Sequence, residues 1–143
     1  MSLHIVKTFV VVADDCRAAT AIAPAPKAGK PTVAVLEYGL LSAHPYRYTL
    51  EDLIFEVHLA RNQVSDAERK ARGAEIRAEL FARPHACMRA SPLTKTYGWG
   101  AHYDANGRLA IYPRESPEYA RFSKDKHLDV VKAMRNSRPR SQG

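Results

Sequence analysis

The chain switches between two periods of apolar and polar positions, and each switch marks an element. Residues 5–13 are apolar and rich in β-branched side chains, which favours a strand, and Asp14-Asp15 ends it. Residues 17–31 carry Pro24, Pro26, Gly29 and Pro31 among small residues, so they read as an extended surface connection and not as a helix. From Thr32 the spacing turns helical. Val33, Leu36 and Leu40 share one face and Ala34, Tyr38 and Leu41 the next, which predicts a buried helix over 32–43, with a strand as the alternative because of Gly39. Thr49-Leu50-Glu51-Asp52 opens a second helix to about residue 62, since Thr caps free amides and acids suit the positive end of the dipole. Its stripe is Leu53, Val57 and Ala60, with Ile54 nearby and His58 at the edge. Ser65-Asp66-Ala67-Glu68 has the capping-box pattern and opens a third helix that stops before Pro84. Ala71, Ala74, Ala78 and Phe81 are expected to face inward there, with mixed charges outside.

Period two returns after Cys87. Read as one strand, Arg89, Ser91, Leu93, Lys95, Tyr97 and Trp99 would share a face, and Pro92 puts the first part at a sheet edge or in a loop. Gly98 and Gly100 bracket the only Trp. Asp104-Ala105-Asn106-Gly107 is a turn, and Leu109 and Ile111 then alternate with polar or small residues along a return strand. Ser116-Pro117-Glu118 starts a short helix with Tyr119 and Phe122 inward, and residues 127–134 read as a strand joining the sheet, with a short helix as the alternative. These elements predict one α+β domain over residues 1–131. It is expected to be an antiparallel sheet around the 95–112 hairpin with three to four helices packed on it, followed by a basic, partly disordered tail over 132–143.

Length and charge sharpen this picture. A chain of 143 residues is long enough to bury one sizeable core. The net charge is +7, and residues 87–143 hold 11 Lys/Arg against 5 Asp/Glu. Lys132, Arg135, Arg138 and Arg140 make the C-terminal end a candidate contact for nucleic acid or a protein partner. No apolar run is long enough to span a bilayer, and Met1 to Lys7 lacks the layout of a signal peptide. The two Cys are therefore read as reduced thiols in a cytoplasmic protein.

The candidate chemistry lies in the 87–112 stretch. His85 and Cys87 form a lone His-x-Cys without a second pair, so no metal is expected. No Gly-rich phosphate loop or dinucleotide fingerprint is present, so no cofactor is expected. Cys87, between His85 and Arg89, is a candidate nucleophile with His102 as its partner, against the plainer reading of a small buried hydrophobe. Arg89, Ser91, Lys95 and Arg135 can donate to a small anion, with Tyr97, Trp99 and Tyr103 as walls and His102 beside them. The plainer reading makes Trp99 a core side chain and the cations sheet-edge charges.

Five segments taken together resemble a bacterial family of small domains of unknown function, DUF6157. They are Val12-Ala13-Asp14-Asp15-Cys16, Pro45-Tyr46-Arg47-Tyr48-Thr49, Cys87 to Lys95, Tyr97-Gly98-Trp99-Gly100-x-His102 and Lys132-Ala133-Met134-Arg135. Where the family often follows Ala-Met-Arg with Ser, this chain has Asn136. The resemblance implies a single cytoplasmic bacterial domain and nominates the polar residues inside those segments as site candidates. It implies no particular activity, substrate or cofactor.

Overall fold

The β-branched run near the N-terminus lies in the interior of the sheet. The computed structural model describes residues 3–137. Its strands are β1 (Thr8–Val11), β2 (Trp99–Tyr103), β3 (Leu109–Pro113) and β4 (Asp129–Lys132), in the order β3-β2-β1-β4. β1 and β2 are antiparallel, with Thr8 opposite Tyr103 and Val10 opposite Ala101. The expected hairpin joins β2 to β3, from Trp99 opposite Pro113 to Tyr103 opposite Leu109. Its turn is fixed by the Asp104 carboxylate, which accepts from the amides of Asn106 and Arg108. Gly107 has a φ of +80°, and a Cβ there would lie 2.9 Å from the Ile5 carbonyl oxygen, so both backbone angle and space call for glycine.

The sheet is mixed, not purely antiparallel. β4 runs parallel to β1, with Phe9 opposite Val130 and Val11 opposite Lys132. The connection after β3 passes through α5 (Pro117–Ser123), so β4 reaches the far side of β1 by a crossover and not by a hairpin.

The helices begin where capping residues predict. α1 (Val33–Ala43), α2 (Leu50–Arg61) and α3 (Asp66–Phe81) start after Thr32, Thr49 and Ser65, each of whose hydroxyls accepts an amide of the first turn. The full reciprocal box closes at Thr49 with Asp52. α1 forms despite Gly39, which sits on its exposed side.

Two of the expected inward faces are different. In α2, Ala60 is exposed, while Leu50, Phe55 and Leu59 join Leu53 and Val57 as buried residues. In α3, Ala71, Ala74 and Ala78 are exposed, and Ile76 and Leu80 are buried against Phe55 and Leu59. The larger aliphatic side chains remove more apolar area from water than the alanines could, so they set the helix rotation.

The stretch read as a strand from Arg89 is not extended until Trp99. Met88–Ala90 form a 3-10 turn and Pro92–Lys95 a one-turn helix, α4. Pro92 occupies the first helical position, where its missing N–H costs nothing, and Ser91 caps the turn through the Leu93 amide. The Thr94 hydroxyl, fully buried, donates to the Met88 carbonyl and locks the two turns together.

One face of the sheet carries the main core: Val10, Ala101, Tyr103 and Leu109 pack on Leu41 of α1, Leu53 and Val57 of α2, and Met88 and Leu93. On the other face, α5 lays Tyr119 and Phe122 over Phe9, at ring distances of 5.2 and 5.4 Å. The result is one α+β domain. No helix among the described residues is long and apolar enough to cross a membrane.

Candidate functional site

The helix-bearing side of the molecule contains a cleft of about 500 Å³ between α1, α2, the end of α3 and the segment 85–92. Val33, Ile54, Val57 and Leu80 supply its apolar walls. Among the described residues Glu37 is its one acidic lining residue, and it is the one charged residue of α1. The Ser91 hydroxyl donates to Glu37 Oε1 at 2.6 Å and accepts from the Leu93 amide at 3.1 Å. Ser91 is only 5 % exposed, because the two short turns around it fold its side chain inward. Glu37 keeps some accessible surface, yet burial pushes its carboxyl up to about 7, with the Ser91 bond pulling the other way. Its second oxygen takes no hydrogen bond among the described residues and is not sealed from solvent.

Basic groups occupy the other parts of the wall: Lys30, His58, Arg61, Arg83 and His85. Asn62 holds the His58 ring by donating to Nδ1 at 3.3 Å. Burial lowers the pKa of His58 first, and the charges of Arg83, His85 and Lys30 lower it further. His85 Nε2 donates to the Leu80 carbonyl at 2.6 Å, which fixes the ring that stands edge-on to Phe81. Among the described residues the ion pairs involve Arg69, Arg72, Arg77, Lys132 and Arg135, and none involves Lys30, Arg61 or Arg83. Arg61 is steadied instead by donating Nε–H to the Pro31 carbonyl at 3.3 Å.

Of the residues nominated from sequence, Cys87 and Ser91 line this cleft. Cys87 also lines a smaller, mostly apolar cavity of about 210 Å³, together with Arg89 and Tyr103. Arg89 itself is exposed and donates from Nε to the Lys132 carbonyl at 2.7 Å. Lys95, Tyr97, Trp99, His102 and Arg135 line neither cavity. The Lys95 carbonyl accepts from the Asn136 side chain, and the Tyr97 carbonyl from the Ile22 amide. Trp99 packs on Tyr38 at 5.3 Å, and its indole N–H donates to the Ile22 carbonyl at 2.9 Å. Arg135 pairs with Asp14 at 3.8 Å.

His102 lies across the sheet from Trp99, because successive strand residues point to opposite faces. There it stacks on Phe122 at 4.2 Å, and its Nδ1 meets the Tyr46 hydroxyl at 2.7 Å. Tyr46 reaches the Tyr112 hydroxyl at 2.8 Å from a backbone with φ of +60°, a left-handed conformation that costs energy in a tyrosine. Burial lowers the pKa of His102 and raises that of Tyr46. Cys87 and His102 are thus on different sides of the molecule and do not form a catalytic pair.

Glu37, Arg61, Arg83 and Lys30 were not picked out from the sequence. Glu37 had a readable signal, a single acid inside a helix apolar on two faces. The cations had none, since only the packing of α3 against α2 brings Arg83 to the cleft.

The C-terminal segment is also tied to the body. The Asp15 carboxylate accepts from the Asn136 amide at 2.9 and 3.0 Å and from the Ser137 amide at 3.1 Å, and these bonds hold its pKa down to about 2. Lys132 pairs with Asp14 at 3.2 Å. Arg138 and Arg140 lie outside the described residues.

Among the described residues, no group of three or more His, Cys, Asp or Glu is arranged to hold a metal. No curated protein and no solved structure matches the chain. Residues 2–139 match the model of DUF6157, a family of unknown function, and the chain belongs to that family.

Proposed function

We propose that this chain binds a small anionic molecule in the cleft between α1, α2 and the segment 85–92. One observation carries the reading: Lys30, Arg61 and Arg83 share a concave wall without an ion pair to any described acid. Like charges gathered on a concave surface repel one another and raise the local potential, and a bound anion relieves both. The volume of about 500 Å³ suits a small molecule with an apolar portion against Val33, Ile54 and Leu80. Glu37, with a carboxyl near 7, can give or take a proton at neutral pH, so proton-transfer chemistry on a bound molecule is within its means. The basic C-terminal part is less favoured as a polyanion contact, because Lys132 and Arg135 already face Asp14.

The test is calorimetric titration of small phosphates and carboxylates into the wild-type chain and the Arg61→Ala/Arg83→Ala double variant. At least one anion is expected to bind, and to lose about tenfold or more in affinity in the double variant, as removal of a charge-assisted contact implies. Binding by no anion of the panel, or binding indifferent to the double substitution, overturns the assignment.

A further inference from the structure

The cleft is polar in two opposite senses. Its acidic part is Glu37 with Ser91, beside Ala90 and Pro92. His58 and Arg83 also line a second hollow between α2 and α3 of about 260 Å³, where the acid is Glu79 and not Glu37. Glu37 forms no ion pair with any described cation, so the acid and the bases are not neutralising each other across the cleft.

The hydrogen-bonding capacity of the acidic end is equally one-sided. Ser91 has a single hydroxyl proton, and it is committed to Glu37 Oε1. The Leu93 amide is committed to Ser91 Oγ. Oε2 of Glu37 remains open, and an ionised carboxylate can only accept. Toward the ionised form a ligand group must therefore donate. A positively charged donor would also compensate the cost of keeping the carboxylate ionised in a partly buried place.

We propose that the cleft takes a zwitterionic small molecule, with its anionic group at Lys30, Arg61 and Arg83 and an ammonium group at Glu37. This rests on the anion-binding reading and narrows it to a ligand class. In the empty cleft a solvent proton does for Glu37 what the ammonium does in the complex. Binding near neutral pH thus releases protons from Glu37. His58, His85, Cys87, Lys30, Arg61 and Arg83 share the cleft with Glu37, so the release is assigned to Glu37 by comparison with a Glu37→Gln variant.

The experiment uses ω-aminoalkyl phosphates of two to five carbons. Each is titrated into the full chain near pH 8 beside the alkyl phosphate and the hydroxyalkyl phosphate of the same length. At least one amine is expected to bind about tenfold more tightly than both of its counterparts, the size of a charge-assisted contact. Glu37→Gln is expected to erase that preference. Equal binding of amine and alkyl phosphates at every length overturns the zwitterion while leaving the anion site standing. A hydroxyl as good as the amine, or a preference that survives Glu37→Gln, overturns it too. Failure of every phosphate to bind overturns the zwitterion, and the anion reading falls with it when the carboxylates fail as well. Should Glu37→Gln not fold, calorimetry of the wild type at pH 7 in two buffers of different ionisation enthalpy decides. Release of about half a proton with the amines but not the alkyl phosphates supports the proposal, and equal proton exchange with both overturns it.

Discussion

The two sides of the sheet bury titratable groups in opposite ways. Beneath α5, the hydroxyls of Tyr46 and Tyr112 and the imidazole of His102 bond one another, and the Tyr119 hydroxyl accepts from the Val12 amide. Aromatic rings fill the space around them, so tightly that a Cβ on Gly100 would lie 2.6 Å from the Phe9 ring. On the helical side, Glu37 has one oxygen bonded to Ser91, and three cations line the same hollow without an ion pair among the described residues. Both regions have perturbed pKa values and polar side chains. What separates a structural network from a candidate site here is whether the polar capacity is used up within the chain.

The largest expected effect breaks this comparison at Glu37. Its folded pKa lies above the unfolded value near 4.5, so the native chain binds more protons than the unfolded chain between those limits. Stability therefore falls as pH rises from about 4.5 to about 7 and then levels off, a loss on the order of 3 kcal/mol. Urea denaturation across this range should show that slope in the wild type. Glu37→Gln keeps an acceptor for Ser91 and should flatten the slope, leaving the variant the more stable chain above pH 7. A slope unchanged in the variant would assign it to other groups.

A middle effect probes the closed side. Tyr46→Phe deletes the hydroxyl between His102 and Tyr112 and leaves both short of a partner, so a loss of roughly 1–3 kcal/mol is expected in urea. No loss of anion binding should accompany it, since Tyr46 and the cleft are on different sides of the sheet. A variant as stable as the wild type would show that the network contributes nothing beyond packing.

The smallest effect should come from the open side. Arg83→Ala removes no ion pair, and its stability should stay within about 0.5 kcal/mol of the wild type. Its signature is electrostatic: the His58 pKa, held down partly by Arg83, should rise when followed by NMR. A large destabilisation would make Arg83 a packing residue and weaken the case for the cleft.

The physics of legibility divides along the same line. Hairpin, caps and helix limits could be read because their causes are local: Asp104 bonds amides two and four residues on, and Thr32, Thr49, Ser65 and Ser116 each cap the turn beside them. The course of 88–95 was misread because Ser-Pro is compatible with an edge strand and a helix start alike, and the buried Thr94 bond that decides for the turn is visible only in three dimensions. The parallel placement of β4 is a matter of topology and leaves no local trace. The site suffered most. Read as one strand, alternate residues from Arg89 to Trp99 share a face, whereas the cleft draws on α1, α2, α3 and, of that stretch, on Ala90, Ser91 and Pro92.

The parallel pairing of β4 with β1 also sets a timetable for the chain as it is made. β1 precedes every other element in the sequence, yet its neighbours in the sheet start at Trp99 on one side and at Asp129 on the other. Most of the sequence must therefore leave the ribosome before Phe9 and Val10 can be covered. Until then a short apolar strand waits with both edges bare, and loop-closure entropy slows each of its pairings. The helical segments between can gain local structure early. The sheet, and the Asp15 clasp on Asn136, close only after those segments are made.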